Sequence, residues 1–320
     1  MTPLFSYVGR LGLLLLIPVL FLVAACDQTS LPSEDVAQQV TYDSIPRRHA
    51  KMSRSLEDIQ AEAKAMAQRR SQMPLADKDP SVRPLYAEAL QLVAAELYEE
   101  GLPKLTALAE QGYADAQYEL GRVYTTINEG PQTLEDDRVA FEWLQRSAEQ
   151  GFSSAQFFLG ASYFSGNEHL APDWGKYAEW LFIASEQGHT TAQYTLGLAY
   201  AQGEGVEKDP VEAYKWNLLA VTRAENSTSI GPTMAQMEGS LGSLIDRFQL
   251  TEVQIREAEQ RAEQWEASHP WAYKSYDDES LIRTAVEDFP AEPRVQGLLN
   301  AKAKARKEKI DAIIARGSQR

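Results

Sequence analysis

Three stretches of the sequence decide the fold: GYADAQYELG at residues 112–121, GFSSAQFFLG at 151–160 and GHTTAQYTLG at 188–197. They align without a gap. Each carries Ala-Gln at its fifth and sixth positions and Leu-Gly at its ninth and tenth positions. Self-similarity at a period of 37 to 39 residues is typical of repeat architectures, in which each unit buries its apolar face against the next. The chain is therefore predicted to stack small units.

The spacings within each copy separate its rigid parts from its variable part. The alanine of each stretch precedes a tyrosine by eight positions, and a tryptophan precedes the start of the next copy by eight positions. The distance from tyrosine to tryptophan varies, at 19, 17 and 16 residues. Two fixed blocks joined by a variable loop predict a helix–turn–helix unit, because a loop accepts insertions without changing the packed faces. The residues are Ala116, Tyr124 and Trp143, then Ala155, Tyr163 and Trp180, then Ala192, Tyr200 and Trp216.

Small residues at fixed positions predict how the two helices of a unit pack. The alanine, leucine and tyrosine of each copy fall at i, i+4 and i+8, which gives the first helix one apolar stripe. A glycine inside a helix costs about 1 kcal/mol relative to alanine, so a repeated glycine predicts a close approach of the second helix. Gly151 and Gly188 are predicted to end second helices in left-handed caps. The close-approach glycines are Gly121, Gly160 and Gly197.

The repeated residues resemble the Sel-1-like repeat, a relative of the tetratricopeptide repeat. The third copy follows that pattern into its loop, Gly203-Glu204-Gly205-Val206, whereas the loops of the first two copies depart from it. The resemblance implies an all-α fold, an α-α solenoid of Sel-1-like, tetratricopeptide-like helical hairpins with helical caps. It covers about a third of the chain, and it implies a non-enzymatic interaction scaffold.

The flanking regions complete the organisation of the chain. Leu85–Glu100 and Pro103–Glu110 predict a helix pair that begins the stack, and Met234–Phe248 with Thr251–Ala267 predict a pair that closes it. The last predicted helix, Val295–Arg316, is basic, and it could lie on anionic lipid, dock on the acidic body or remain a solvated face. The predicted division is a signal peptide at 1–25, a lipidated N-terminus and flexible tether at 26–54, a helix and linker at 55–83, the solenoid at 84–224, capping helices at 225–268, and an extension with the basic helix at 269–320.

The first 26 residues indicate the compartment. One basic residue, Arg10, precedes an apolar run from Leu11 to Ala25, which is short for a membrane-spanning helix and typical of a signal peptide. The run ends in LVAAC at residues 22–26, which resembles a bacterial lipobox. The resemblance implies cleavage before Cys26, the only cysteine of the chain, and acylation of that residue. The alternative is an uncleaved anchor with an incidental cysteine.

Lipidation at Cys26 implies attachment to the periplasmic side of a bacterial membrane, because two or more acyl chains anchor a protein durably. Asp27 follows, and the enteric lipoprotein pattern implies that an aspartate there favours the inner membrane. Acidic residues outnumber basic ones 46 to 31, for a net charge of −15. Anionic headgroups should therefore repel the folded body, and nucleic acid is not an expected partner.

We expect no cofactor, no metal ion and no catalytic residue. One cysteine and four histidines, none of them in a His-x-x-x-His pair, offer little to a metal. The sequence contains no nucleophile elbow and no phosphate-binding or dinucleotide motif. One alternative is an enzyme or regulator of the cell-wall or β-lactam type, as linked to cysteine-rich members of the family, which the single cysteine disfavours. Another is a structural spacer or chaperone in envelope assembly that acts through its second helices.

The resemblance also implies a partner-binding groove. It places the first helix of each unit on the inner wall, where three aromatic residues at equivalent positions would grip a peptide or helix of another envelope protein. The alternative is that these rings pack between neighbouring units. The predicted groove residues are Tyr118, Phe157 and Tyr194, with Arg122, Ala161 and Leu198 one turn on.

Overall fold

The structure, a computed structural model, describes residues 51–70, 72–126, 134–166, 170–224, 232–269 and 288–317. These residues form twelve main α-helices and no strand, which confirms the all-α prediction. None of the helices described is long and apolar enough to cross a membrane. The helices are α1 (Leu56–Arg70), α2 (Arg83–Ala94), α3 (Tyr98–Glu110), α4 (Ala114–Thr126), α5 (Leu134–Glu149), α6 (Ser153–Ser165), α7 (Trp174–Glu186), α8 (Thr190–Gln202), α9 (Pro210–Ala224), α10 (Met234–Phe248), α11 (Glu252–Ser268) and α12 (Pro293–Gly317).

Helices α2 to α9 form an α-α solenoid of four hairpins. Within each hairpin the two helices pack against each other, as α4 does against α5, α6 against α7 and α8 against α9. Successive hairpins pack through α3 and α4, α5 and α6, and α7 and α8. Each helix thus contacts its neighbours in the chain, which is the nearest-neighbour arrangement of a repeat protein.

The repeated glycines stand where the two helices of a unit come closest, as the sequence predicts. In every repeat, a Cβ added to the glycine would lie within 3.3 Å of a carbonyl oxygen of the second helix. That carbonyl belongs to the residue three positions before the repeat tryptophan. An alanine at these positions would push the helices apart. The pairs are Gly121 with Ala140 at 3.1 Å, Gly160 with Tyr177 at 3.3 Å, and Gly197 with Ala213 at 2.9 Å.

The turns between repeats also follow the prediction. Gly151 and Gly188 have φ angles of +103° and +85°, a region that glycine enters without steric cost. They follow the ends of α5 and α7 and return the chain into α6 and α8. The left-handed caps predicted at these two residues are therefore confirmed.

The first hairpin differs from its predicted boundaries. The predicted helix Leu85–Glu100 is divided, because α2 ends at Ala94 and α3 already begins at Tyr98. Glu96 between them has a φ of +64°, which no helix continues through. Pro103 therefore lies inside α3 rather than at its start, where its missing N–H removes one bond of the helix. Gly101 near the start of α3 packs closely on Val93 of α2.

Helices α10 and α11 pack on α9 at the far end of the solenoid, where the sequence places the capping pair. Both begin with a capping box, formed by Thr233 with Gln236 and by Thr251 with Gln254. Trp265 of α11 packs on Trp216 of α9, with ring centroids 5.9 Å apart. The opposite side of α11 is exposed and polar, so the stack ends in a surface that water solvates.

The N-terminal part of α12 packs on the other end of the stack. Val295 is buried against Leu92 and Ala95, next to the end of α2. Lys302 donates to the carboxylate of Glu96 at 2.7 Å and to a carbonyl oxygen of α2 at 2.8 Å. The start of the basic helix therefore docks on the body of the protein, which is one of the three arrangements that the sequence left open.

The glycine contacts generate a paired prediction. Gly197→Ala should destabilise the protein by about 1–3 kcal/mol, because the new Cβ collides with the Asn217 amide and the Ala213 carbonyl. Gly242→Ala in α10 should stabilise it by about 1 kcal/mol, because its Cβ would meet no atom within 4 Å. Urea unfolding followed by circular dichroism measures both changes. Shifts of the same sign would contradict the close-approach account.

Candidate functional site

The structure places Tyr118 between the first two repeats. Its side chain is 1% exposed, and its ring lies 5.2 Å from the ring of Phe152 and 5.7 Å from that of Phe158. The expectation that Tyr118 faces an open groove is wrong, because the next unit covers it. The alternative considered from the sequence, packing between neighbouring units, is the observed arrangement.

Tyr194 and Leu198 are buried in the same way at the other end of the repeats. Each is 1% exposed, and both pack with Ala220 of α9 and Met237 of α10. The first capping helix therefore covers the position that a further repeat would occupy. The expectation of an accessible Tyr194 and Leu198 is also wrong.

The other three predicted groove residues remain partly accessible. Phe157 is half-buried and stacks on the imidazole of His189, with centroids 5.3 Å apart. Ala161 lies one turn on and is half-buried. The Arg122 guanidinium donates two bonds, of 3.0 and 2.6 Å, to the buried carboxylate of Glu119. Partner binding through Arg122, Phe157 and Ala161 stays a prediction.

Glutamines form a polar connection between units that the sequence analysis missed. The glutamine after the repeat alanine donates through Nε2 to a carbonyl oxygen eight residues earlier, in the preceding unit. At two of the three junctions between units, a second glutamine donates to the side-chain oxygen Oε1 of the first glutamine. The repeated Ala-Gln and Glu-Gln-Gly motifs indicate these bonds in the sequence, but they lie outside the apolar stripes. The bonds are Gln117 to Ala109 (3.0 Å), Gln156 to Ala148 (3.1 Å) and Gln193 to Ser185 (3.1 Å), with Gln150 to Gln117 (2.7 Å) and Gln187 to Gln156 (2.5 Å).

Residues 51–70, which we call the strap, lie across the solenoid. Ile59, Ala63 and Met66 of α1 are buried in a common core with α7. Ahead of α1, Met52 N–H donates to the Gly205 carbonyl at 2.9 Å. The strap thus starts beside the loop that leads into α9.

Side-chain bonds hold both ends of the strap. At its beginning, the amide of Ser53 donates to the carboxylate of Glu179 at 3.0 Å. At its end, the guanidinium of Arg70 donates to the Ser153 hydroxyl at 3.3 Å. The strap therefore runs from the third repeat back to the start of the second, opposite to the direction of the stack.

Gly175 accommodates the strap. A Cβ at Gly175 would lie 2.6 Å from the carbonyl oxygen of Lys51. The equivalent positions of the first and third repeats hold Arg138 and Val211. Glycine thus replaces a side chain in the repeat that the strap crosses, which is a departure from the repeat pattern with a physical cause.

A buried carboxylate clamps the chain that follows the strap. Asp115 accepts the backbone N–H groups of Ala76 at 2.8 Å and Asp77 at 3.0 Å. The equivalent positions of the other repeats hold Ser154 and Thr191. Burial raises the pKa of Asp115 to about 6, although the backbone bonds favour the charged form.

A second polar cluster joins α11 to α7. The Glu186 carboxylate accepts the indole N–H of Trp265 at 2.8 Å and lies 2.9 Å from Nε2 of His269. The His269 ring stacks on Trp265 at 4.5 Å, and its Nδ1 lies 2.8 Å from the Trp265 carbonyl. The cluster borders a cleft of about 260 Å³ that α1 lines with Gln60 and Lys64. Its contacts hold the capping helix to the second repeat.

The described residues contain no group of three or more His, Cys, Asp or Glu side chains that could hold a metal ion. Cys26 and Asp27, on which the predicted anchor depends, lie outside the described residues, as do His49 and His169. The described surface is that of the solenoid and of the strap that crosses it.

The fold defines a helical repeat protein of the solenoid class, and comparison with known families identifies the repeat. The Sel1 repeat matches residues 114–152, 153–189 and 190–221. These three segments correspond to the hairpins α4–α5, α6–α7 and α8–α9. The chain therefore contains three consecutive Sel1 repeats, as the sequence resemblance implies.

Two solved structures are similar to this chain. One is c5321, a protective antigen of uropathogenic Escherichia coli strains with an SLR fold, at 31% identity over 57% of this chain and 39% of the antigen, with a TM-score of 0.46. The other is a Sel1 repeat protein from Oxalobacter formigenes, at 31% identity over 44% of this chain and 96% of that protein, with a TM-score of 0.37. This chain spans about two fifths of the antigen's length. No curated protein matches.

The buried carboxyl group of Asp115 predicts that the free energy of unfolding depends on pH. The pKa of about 6 for folded Asp115 exceeds its ordinary value of 3.8, so the folded state binds more protons between these pH values. Its contribution to the free energy of unfolding should therefore fall by about 1 kcal/mol from pH 5 to pH 7. Asp115→Ser, which copies the second repeat, should remove this dependence in urea titrations at both pH values. A constant difference between the two proteins would contradict the raised pKa of Asp115.

Proposed function

We propose that this protein is a non-enzymatic scaffold, held by acyl chains on Cys26 at the periplasmic side of a bacterial membrane, that binds another envelope protein. The observation that carries the proposal is the solenoid of three Sel1 repeats, a fold typical of protein–protein interaction scaffolds. Such a stack offers an extended surface to a partner without needing a catalytic group.

The N-terminal sequence supports the anchor. An apolar run of signal-peptide length leads into LVAAC, and Cys26 is the only thiol of the chain. Asp27 favours the inner membrane within the lipoprotein pattern. The tether predicted at residues 26–54 would end before Lys51, because Met52 and Ser53 contact the solenoid. The acidic body would then stand away from anionic headgroups.

The accessible part of the first-helix face supports the partner site. Phe157 offers an aromatic edge next to Ala161, and the Glu119 carboxylate orients the Arg122 guanidinium. Aromatic and arginine side chains supply much of the affinity in protein interfaces. We propose that the partner contacts this face across the first and second repeats.

The anchor predicts the outcome of replacing the thiol. Cys26→Ser should abolish incorporation of labelled palmitate and leave the first 25 residues uncleaved, because no other cysteine accepts the acyl group. Metabolic labelling, intact mass and membrane fractionation measure these changes. A wild-type protein that keeps residues 1–25 in a cytosolic fraction would end this part of the proposal.

The partner site predicts a position-dependent loss of binding. Ala161→Lys should weaken crosslinking to an envelope partner in cells by about tenfold or more, because a charged chain then stands in the proposed contact. Ala235→Lys on α10 is a matched control, since Ala235 is exposed on a helix that belongs to no repeat. Equal crosslinking by both variants would exclude the first-helix face as the partner site.

A further inference from the structure

We propose that α1 occupies a helix-binding groove on the α7 face of the solenoid, and that an amphipathic helix of the partner protein binds there by displacing it. The inference rests on the proposed scaffold function, since it presumes a protein partner. It adds a second binding surface, on the opposite helix of the unit from Phe157 and Ala161. It also gives the strap a role besides packing.

The way α1 is seated defines the groove. Its buried side chains, Ile59, Ala63 and Met66, fall at i, i+4 and i+7, which is the spacing by which amphipathic helices enter grooves of other proteins. They share a core with Ala178 and Leu181 of α7. The solenoid therefore already recognises a helix on this face, and the ligand belongs to its own chain.

Helix α1 leaves part of the groove unfilled. A cleft of about 260 Å³ borders Ala63, a second of about 520 Å³ borders Leu56, and Gln60 lines both. Phe182 and Tyr200 line the second cleft, and Leu56 itself remains 44% exposed. A helix with a larger apolar side chain at the position of Leu56 would bury more surface there than α1 does. This is the chemistry that we assign to the partner helix.

The chain after the strap is held independently of it. Ala76 and Asp77 are buried and bonded to Asp115, at the start of the first repeat. Displacement of residues 51–70 therefore leaves this clamp and α2 in place. With the proposed lipid anchor, release would lengthen the connection between the membrane and the body by the residues of the strap.

Two glutamate substitutions, two residues apart on α1, distinguish release of the strap from a general effect of the added charge. Ala63→Glu places a carboxylate in the buried groove and should release the strap. Ala65→Glu places the same carboxylate on the exposed side and should leave the strap bound. Full-length protein in detergent is mixed with a fluorescent peptide of residues 54–70, and binding is followed by anisotropy.

The Ala63→Glu protein should bind this peptide roughly 100-fold more tightly than the wild type or Ala65→Glu, because a tethered strap competes at a millimolar effective concentration. A peptide of residues 54–70 carrying Leu56→Phe should bind more tightly than the native peptide, since the ring fills the cleft that borders Leu56. Equal binding by all three proteins would overturn the proposal, as would loss of the cooperative unfolding transition in Ala63→Glu.

Native-state hydrogen exchange tests the strap without any substitution. The amides of α1 should exchange through a local opening, with protection at least tenfold below that of α7 and α8. Equal protection of α1 and α7 would show that the strap never leaves alone, and would overturn the proposal. Neither experiment depends on acylation, so failure here leaves the proposed anchor intact, and failure of palmitate labelling leaves these results valid.

Discussion

The close contact between a glycine and a backbone carbonyl, made once in every repeat, determines the rest of the architecture. Gly121, Gly160 and Gly197 each meet a carbonyl at an equivalent position of the second helix. Because the distance within each hairpin is fixed in this way, successive hairpins present the same surface to one another. The glutamine bonds can then recur from unit to unit.

Two departures from the repeat pattern are explained by the chain that precedes the repeats. Asp115 stands where other repeats have a hydroxyl, because it accepts two backbone N–H groups of the chain that follows the strap. Gly175 stands where others have a side chain, because the Lys51 carbonyl approaches it. The second-helix face is thus shaped by the N-terminal segment, and any partner on that face meets an occupied surface.

The sequence predicts those features that depend on neighbouring residues. The hairpins, the glycine contacts, the left-handed caps and the bounds of α10 follow from spacing and local conformational preference. The burial of Tyr118 and Tyr194 does not follow from the sequence, because the sequence of one unit cannot show which neighbouring element covers these side chains. The helix of the strap is predicted from its spacing, but its position against α7 is not, since no repeat marks where Ile59 and Met66 insert.

Nuclear Overhauser effects between the two helices of a repeat test the central contact most directly. In methyl-labelled full-length protein, the account predicts cross-peaks from the Leu144 methyl groups to the α-protons of Gly121, and from the Asn217 side-chain amide to those of Gly197. Assigned spectra that lack both cross-peaks would mean that the helices do not touch at the glycines. The hairpins would then have to be held together by contacts other than those at the glycines.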